Sequence, residues 1–215
     1  MSKRKVEITC WRTGRVLFEH EAANNTRLMT VEAAVRARAD LSGANLPGMN
    51  LSGMDLSHMN LEGANLSWCD LSGTYLFGAN LSRVNLAGAN MSRANLVWAD
   101  MPGANLSGVI LSGAHLSGTN LEGAYMHGED GEKIALVGRR PILQIGPIGS
   151  GSRYLIAFLT DQGLRLQTGC FFGTREQFEE KLTDTHGDNE HAKEYRAALA
   201  LIEAHERLWM PTDRG

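Results

Sequence analysis

The chain has 215 residues, of which 43% are apolar, and a formal net charge of −3. This length allows one or two domains with real hydrophobic cores, and the near-neutral charge excludes a strong polyelectrolyte partner. Its apolar runs are too short for a transmembrane helix or a signal peptide. Three widely spaced cysteines, Cys10, Cys69 and Cys170, argue against a disulfide framework and favour a reducing, cytoplasmic environment.

Residues 1–38 are predicted to form a β-hairpin followed by a short helix. The strand-like runs VEITCW and RVLFEHE flank the Gly-containing turn RTG. A helix is expected to begin at Thr30, as its N-cap, and to continue through Val35. We expect the hairpin and the helix together to close the end of the segment that follows, because an open end of a repeat domain exposes apolar side chains and unpaired strand edges.

The basic N-terminal residues, Lys3, Arg4 and Lys5, are followed by no motif that reads a nucleic-acid groove. Direct nucleic-acid binding is therefore not expected.

Residues 39–128 repeat every five residues without an insertion, in eighteen pentads. The central residue of each pentad is Leu fifteen times and Met three times, and the residue two places earlier is Ala ten times. Asn or Asp precedes the central residue fourteen times, and the last place is Gly thirteen times. A period of five matches neither an α-helix nor a β-strand.

The pattern indicates a solenoid. The large and the small apolar place of each pentad must face inward, because each buried Leu gains about 1.5–3 kcal/mol, an upper bound set by the extended-chain reference. The polar and Gly places must face outward, and Asn, Asp and Gly tolerate the backbone angles of turns. A chain that turns slightly every five residues with the same side inward winds into a coil.

The stretches ADLSGANL, GANLSGV and GANLSRVNLAGAN resemble the pentapeptide-repeat family, whose pattern is A(D/N)LXX. The resemblance covers residues 39–128 and implies a mainly β fold, a right-handed quadrilateral β-helix with four pentads in each coil. Eighteen pentads would then make about 4.5 coils and a rod roughly 22 Å long at the ~4.8 Å spacing of paired strands.

Residues 129–215 are predicted to form a small α+β C-terminal domain. The segments 142–149, 153–160 and 164–172 read as strands, with the turn DQG joining the last two. A capping box at Thr174 and Gln177 opens one helix, which turns Phe178 and Leu182 inward. A longer helix is expected from an Asn189 cap to about Trp209, with one apolar face formed by three residues: Tyr195, Leu199 and Ile202.

Three features could carry chemistry, and for each a structural role is the better interpretation. Cys170, His186 and His191 lack the close ligand pairs that are typical of zinc sites. The Gly-rich stretch 146–152 lacks the phosphate-binding loop pattern. The serines that follow the central leucines recur on every turn, without a His and an acid to activate them. No catalytic residue, metal or cofactor is therefore expected.

One face of the solenoid differs from the others. With four pentads in each coil, the fourth face holds the pentads centred on Leu56, Leu76, Leu96 and Leu116. Its outward places include aromatic, apolar and His side chains, which are Tyr75, Phe77, Val97, Trp98, His58 and His115. An exposed aromatic patch indicates a contact surface. The C-terminal domain, a second subunit or another protein could cover it.

The sequence therefore favours a non-enzymatic protein that uses a rigid β-helix to bind a protein partner, with a homodimer as one possibility. The alternative follows from the resemblance, since the quinolone-resistance members of the family imitate duplex DNA and bind type II topoisomerases such as DNA gyrase. DNA mimicry needs a dense acidic surface. Residues 39–128 carry only six acidic and two basic residues.

Overall fold

The computed structural model describes residues 3–128, 130–138, 140–149, 151, 153–169 and 171–209. It divides into two compact units, Met1–Lys133 and Ile134–Gly215. The finer division into three domains, 1–38, 39–128 and 129–215, stays a prediction. Within the described part of the chain, no helix is both long enough and apolar enough to cross a membrane.

The predicted N-terminal hairpin is present. Strand β1, Lys3–Thr9, pairs antiparallel with β2, Val16–Ala23, and Ile8 lies opposite Phe18. The hairpin also pairs with the start of the repeats, because the Asn45 amide donates to the Thr9 carbonyl at 2.9 Å. The unpaired edge of the first coil is thereby partly satisfied.

Helix α1 begins earlier than the sequence predicts. It spans Arg27–Arg36 and its N-cap is Thr26, whose hydroxyl accepts from the Met29 amide. The assignment of Thr30 as N-cap is wrong, because Thr30 is fully buried inside the helix and donates to the Thr26 carbonyl at 3.0 Å. The buried Asn25 side chain also donates to the Thr30 hydroxyl at 3.2 Å, which satisfies both groups.

The repeats form a β-helix whose coil is 20 residues long. Parallel bridges join residues 20 positions apart, from Asn45 with Asn65 to Asn105 with Tyr125. Four pentads therefore make one coil, as the family resemblance implies. Each coil is tied to the next by backbone hydrogen bonds, such as that from the Leu76 amide to the Asn95 carbonyl at 2.8 Å.

The core of the β-helix is the column of central Leu and Met side chains. Seventeen of the eighteen are buried, and Leu66, Leu71 and Leu76 are fully inaccessible. The expectation that all eighteen are buried is wrong for Leu116, which is only half-buried. The last central residues of the other three faces, Leu111, Leu121 and Met126, are buried, so the exposure at this end of the column is confined to Leu116.

The polar exterior is organised by the residue that precedes each central Leu. An Asn or Asp there accepts a hydrogen bond from the backbone two residues later, as Asn80 does from Ser82 at 3.1 Å. The Asn80 amide nitrogen also donates to Asn60 on the neighbouring coil at 3.1 Å. One residue type thus caps the turn and links the coils, which explains its frequency at this place.

The second unit contains a four-stranded antiparallel sheet whose strands are hydrogen-bonded in chain order. A short strand β3, Tyr125–His127, ends the repeats, and β4 is Lys133–Ala135. The sheet strands are β5, Ile142–Ile148; β6, Arg153–Thr160; β7, Gly163–Thr168; and β8, Phe171–Gly173. The single strand expected over 164–172 is wrong, because the chain turns at Gly169, which has a left-handed φ of 56°, and β8 pairs back on β7.

Two helices complete the second unit. Helix α2, Arg175–His186, begins with the predicted capping box between Thr174 and Gln177. Helix α3, Glu190–Trp209, follows Asn189, whose side chain accepts from the Ala192 amide at 3.0 Å. The apolar residues predicted for both helices are buried in a common core with β6 and β7: Phe178, Leu182, Tyr195, Leu199 and Ile202.

Candidate interaction surface

The aromatic residues predicted for the fourth face lie on one stacked column of pentads. Tyr75 is bridged to Asp55 on one neighbouring coil and to Asn95 on the other. The Trp98 amide donates to the Ser117 carbonyl on the next coil at 3.0 Å. The 20-residue coil therefore places all six predicted residues on the same face. We call this face, defined by Tyr75, Phe77, Val97, Trp98, His58 and His115, the aromatic face.

Most side chains of the aromatic face are exposed. Tyr75 is 54% exposed, Phe77 39% and Trp98 65%. His58 and His115 are also exposed, whereas Val97 is half-buried. These fractions are high for large apolar rings, and contiguous exposed rings of this kind mark binding surfaces.

Contacts within the aromatic face hold its rings in place. The His58 imidazole packs edge-on against the Phe77 ring, with centroids 5.4 Å apart. His58 also lies directly over Gly78, where an added Cβ would come within 2.8 Å of the imidazole. Because these rings are ordered by neighbours on adjacent coils, a partner that binds them loses less side-chain entropy.

The last place of the pentad has a left-handed backbone in seventeen of the eighteen repeats, from Gly43 to Gly123. Glycine fills most of these places, for example Gly78 with φ 61° and Gly118 with φ 69°. Five places hold a larger residue with the same conformation: His58, Trp68, Arg83, Arg93 and Trp98, with φ between 55° and 60°. A residue with a Cβ is strained there by about 1–2 kcal/mol. Such strain in bulky residues commonly marks a functional position.

Trp68 is a further exposed aromatic residue that is not among the contact residues predicted from the sequence. It is the most exposed of the large aromatic side chains, at 73%, and lies on the second face, against Gly88. Its signal was present in the sequence, because Trp68 replaces the glycine that normally occupies the last place of a pentad. The position of Trp68 on a different face means that it is not part of the aromatic face.

Acidic side chains of the β-helix accept hydrogen bonds within their turns or form an ion pair. The pKa of Asp55 is lowered by hydrogen bonds from the Ser57 hydroxyl and amide, and the pKa of Asp70 is lowered in the same way by Ser72. Glu62 forms an ion pair with Arg83 on the next coil. Asp55 and Asp70 therefore keep their negative charge while they cap turns, and Glu62 is paired with a cation.

The residues considered for catalysis or phosphate binding take part in hydrogen bonds within the fold. Several serines after a central residue donate to the Asn two residues earlier, as the Ser52 hydroxyl does to Asn50 at 2.7 Å. In the Gly-rich stretch, the Gly149 amide donates to the Glu194 carboxylate at 2.7 Å.

His186 and His191 pack ring to ring with centroids 5.8 Å apart, and Cys170 lies outside the described residues. Within the described ranges no three His, Cys, Asp or Glu side chains are grouped as metal ligands are.

Comparison with known proteins matches the repeats to a family and to solved structures. The model of the pentapeptide repeats matches residues 37–73, 69–108 and 89–128. A pentapeptide repeat protein from the cyanobacterium Cyanothece 51142 is 45% identical, with a TM-score of 0.38, over 38% of this chain and 56% of its own. The pentapeptide repeat protein alr5209 from Nostoc PCC 7120 is 37% identical, with a TM-score of 0.32, over 47% of this chain and 80% of its own.

A more distant similarity is to QnrB1, a plasmid-mediated fluoroquinolone resistance protein. It is 21% identical, with a TM-score of 0.23, over 40% of this chain and 59% of its own. This chain thus spans little more than half the length of the Cyanothece protein and of QnrB1. A search of the curated proteins returned no match.

Proposed function

This chain belongs to the pentapeptide repeat family, whose members fold as right-handed β-helices, and we propose that it is a scaffold that binds a second protein through the aromatic face. The observation that carries this proposal is the exposure of Tyr75, Phe77 and Trp98 on adjacent coils of one face. Aromatic residues at the centre of an interface often supply most of its binding energy.

The backbone conformation of Trp98 supports the same function. Its place in the pentad favours glycine, yet the chain keeps an indole there that is 65% exposed and strained by about 1–2 kcal/mol. Packing inside the β-helix gives no reason for this residue, because the ring points away from the Leu column. Contact with a partner would explain the presence of Trp98, since the contact would bury its large apolar ring.

We also propose that the β-helix has four flat sides. The 20-residue coil contains four pentads, and seventeen of the eighteen pentads end in a left-handed residue where the chain can turn. A flat side presents rings from successive coils at ~4.8 Å intervals, which suits recognition of a protein surface.

The proposed role is binding rather than catalysis. The repeated serine hydroxyls that could have been nucleophiles are engaged in turns, as Ser82 is with Asn80 at 2.6 Å. A nucleophile needs a neighbouring base that takes its proton. We therefore expect the purified chain to bind its partner without turnover.

DNA mimicry toward a type II topoisomerase such as DNA gyrase has less support. Duplex DNA carries one negative charge per about 1.7 Å. Residues 39–128 carry six acidic and two basic residues, a net of −4. Over a rod of roughly 22 Å this is about one net charge per 5–6 Å, and residues 1–38, with eight basic and four acidic residues, oppose it. The charge density is thus several times too low to imitate a duplex.

The test replaces the aromatic face without disturbing the coil. In the double variant Trp98→Gly, Phe77→Ser, the glycine suits the left-handed backbone and the serine is the residue found at equivalent places. The matched control is Trp68→Gly, which removes an exposed indole from another face. Affinity capture from a lysate of the source organism, quantified by mass spectrometry, should recover a protein with the wild type and Trp68→Gly that the double variant loses. Equal recovery by the double variant would contradict the proposal.

A further inference from the structure

The second unit contains a cavity of about 290 Å³ between the β7–β8 hairpin and the two helices. Its walls come from Thr168 and Phe171 of the hairpin, from α2 and from Tyr195 of α3. Ligand pockets in proteins start at roughly 300 Å³, so this volume suits a small molecule with one ring and a short side chain.

One wall of the cavity is aromatic. The Phe171 and Phe178 rings pack edge to face with centroids 5.4 Å apart, and Phe178 and Tyr195 do so at 5.7 Å. The His186 imidazole is stacked on Tyr195 at 6.3 Å. Such a wall favours an aromatic ligand, because its ring can continue the edge-to-face arrangement.

The cavity also has an unsatisfied polar group. The Thr168 hydroxyl oxygen is buried and has no hydrogen-bond partner among the described residues. Buried polar groups in folded proteins nearly always have a partner, and an exception needs an explanation. Because Thr168 lines the cavity, a polar atom of a bound ligand could supply the missing hydrogen bond.

The polar side chains around the cavity favour a negative ligand. Arg153 and Lys181 both line it, and neither forms an ion pair with another described residue. No carboxylate belongs to the described lining residues. Arg153 and Lys181, which are exposed, line the same cavity as the orphaned Thr168 hydroxyl, and a carboxylate would complement this combination.

We propose that this cavity binds a small aromatic carboxylate, with the ring against Phe171, Phe178 and Tyr195 and the carboxylate near Thr168, Lys181 and Arg153. The inference concerns the second unit alone and does not rest on the proposed function of the aromatic face. It assigns the C-terminal unit a ligand-binding role that is separate from protein binding by the β-helix.

The probe for the test is hydrocinnamate, with hydrocinnamyl alcohol as its uncharged match, titrated into the full-length chain and followed by ligand-observed NMR. A ligand of this size should bind with a dissociation constant of about 0.1–1 mM. The alcohol should bind about tenfold more weakly, because it forms no charge-assisted hydrogen bond.

Two variants and one control locate the binding. Thr185→Trp, at an exposed position on α2 that lines the cavity, should fill it and abolish binding. Lys181→Gln should weaken binding of the acid about threefold and leave binding of the alcohol unchanged. Lys193→Gln, which removes an exposed lysine elsewhere in the same unit, should change neither. The proposal would be overturned by any one of three results. These are no binding of hydrocinnamate at about 10 mM, equal binding of the acid and the alcohol, and full binding of the acid to Thr185→Trp.

Discussion

The indole ring of Trp98 lies against Gly118 on the next coil, so that a Cβ added to Gly118 would come within 2.6 Å of the ring. The same relationship joins Trp68 to Gly88, where the distance would be 2.4 Å. A bulky residue in the left-handed place therefore depends on a glycine 20 residues later. This pairing fixes where the exposed indole of the aromatic face can lie.

Substitution of Gly118 tests this dependence. Gly118→Ala should lose about 1–2 kcal/mol from backbone strain at φ 69° and should also displace the Trp98 ring. Gly53→Ala is the matched control, because Gly53 has φ 67° and nothing within 4 Å of the added Cβ. Both should lower the melting temperature, but only Gly118→Ala should shift the fluorescence of Trp98, measured with the other tryptophans replaced by Phe. Identical fluorescence in the two variants would show that Gly118 does not position the indole.

A charge introduced into the Leu column should cost more stability at a fully buried position than at a half-buried one. Leu76→Asp puts an unpaired carboxylate at a fully buried position and should unfold the β-helix. Leu116→Asp introduces the same change at the half-buried end of the column and should leave a folded, less stable protein. Circular dichroism melts of the two variants provide the comparison. A melting temperature for Leu76→Asp equal to that of the wild type would contradict the assigned register.

Acid should destabilise the β-helix partly through Asp55 and Asp70. Hydrogen bonds from Ser57 and Ser72 lower the pKa of these carboxyls in the folded state. Their contribution is therefore complete above the unfolded pKa of about 3.9 and is lost as the pH falls through the lower folded pKa. The double variant Asp55→Asn, Asp70→Asn should lose less stability in urea than the wild type between pH 6 and pH 2, since Asn caps the same turns elsewhere. Equal losses of stability in the variant and the wild type would refute the role assigned to Asp55 and Asp70.

The two described cysteines should differ in reactivity. Hydrogen bonds from the Thr13 hydroxyl and from the Arg12 and Thr13 amides lower the pKa of Cys10, whereas burial raises the pKa of Cys69. In a Cys170→Ser background, iodoacetamide at pH 7 should alkylate Cys10 first and Cys69 only on unfolding. Thr13→Val should move the midpoint of the Cys10 rate profile to higher pH. An unchanged midpoint would remove the assigned role of Thr13.

Much of the fold follows directly from the sequence. The pentad register, the N-terminal hairpin and the helices α2 and α3 were predicted, because each has a local signal that tertiary structure does not override. The unbroken Leu spacing leaves only one way to bury eighteen side chains on the same side. The capping box at Thr174 and Gln177 likewise specifies a helix start from four adjacent residues.

The errors arise where two local signals compete or where the repeat ends. Thr26 and Thr30 are both good N-cap residues, and in the structure Thr26 caps the helix while Thr30 is buried and hydrogen-bonded to Asn25. Gly169 splits a continuous β-prone run into β7 and β8 because it adopts a left-handed φ. The partial exposure of Leu116 is not indicated by its pentad, which has the same pattern as its buried neighbours.

The sequence predicted the register of the aromatic face but not the backbone conformation of its residues, and its role as a binding site stays a prediction. A 20-residue coil was enough to place Tyr75, Phe77 and Trp98 on one face. The special backbone of His58, Trp68 and Trp98 was missed, because the sequence shows only that glycine is common at their place and not that its φ is positive. The sequence already gives the identity of these rings, and the structure adds how far each ring is exposed.

Photo-cross-linking tests the central claim, that the aromatic face contacts another protein, most directly. Benzoylphenylalanine would replace Phe77 on the aromatic face and, as a control, Ser52 on the third face, which is also exposed. After irradiation in cells of the source organism, the probe at position 77 should join the chain to a second polypeptide, and the probe at position 52 should give little or no such product. Adducts at position 77 only within the same chain, or equal products from both positions, would contradict the account.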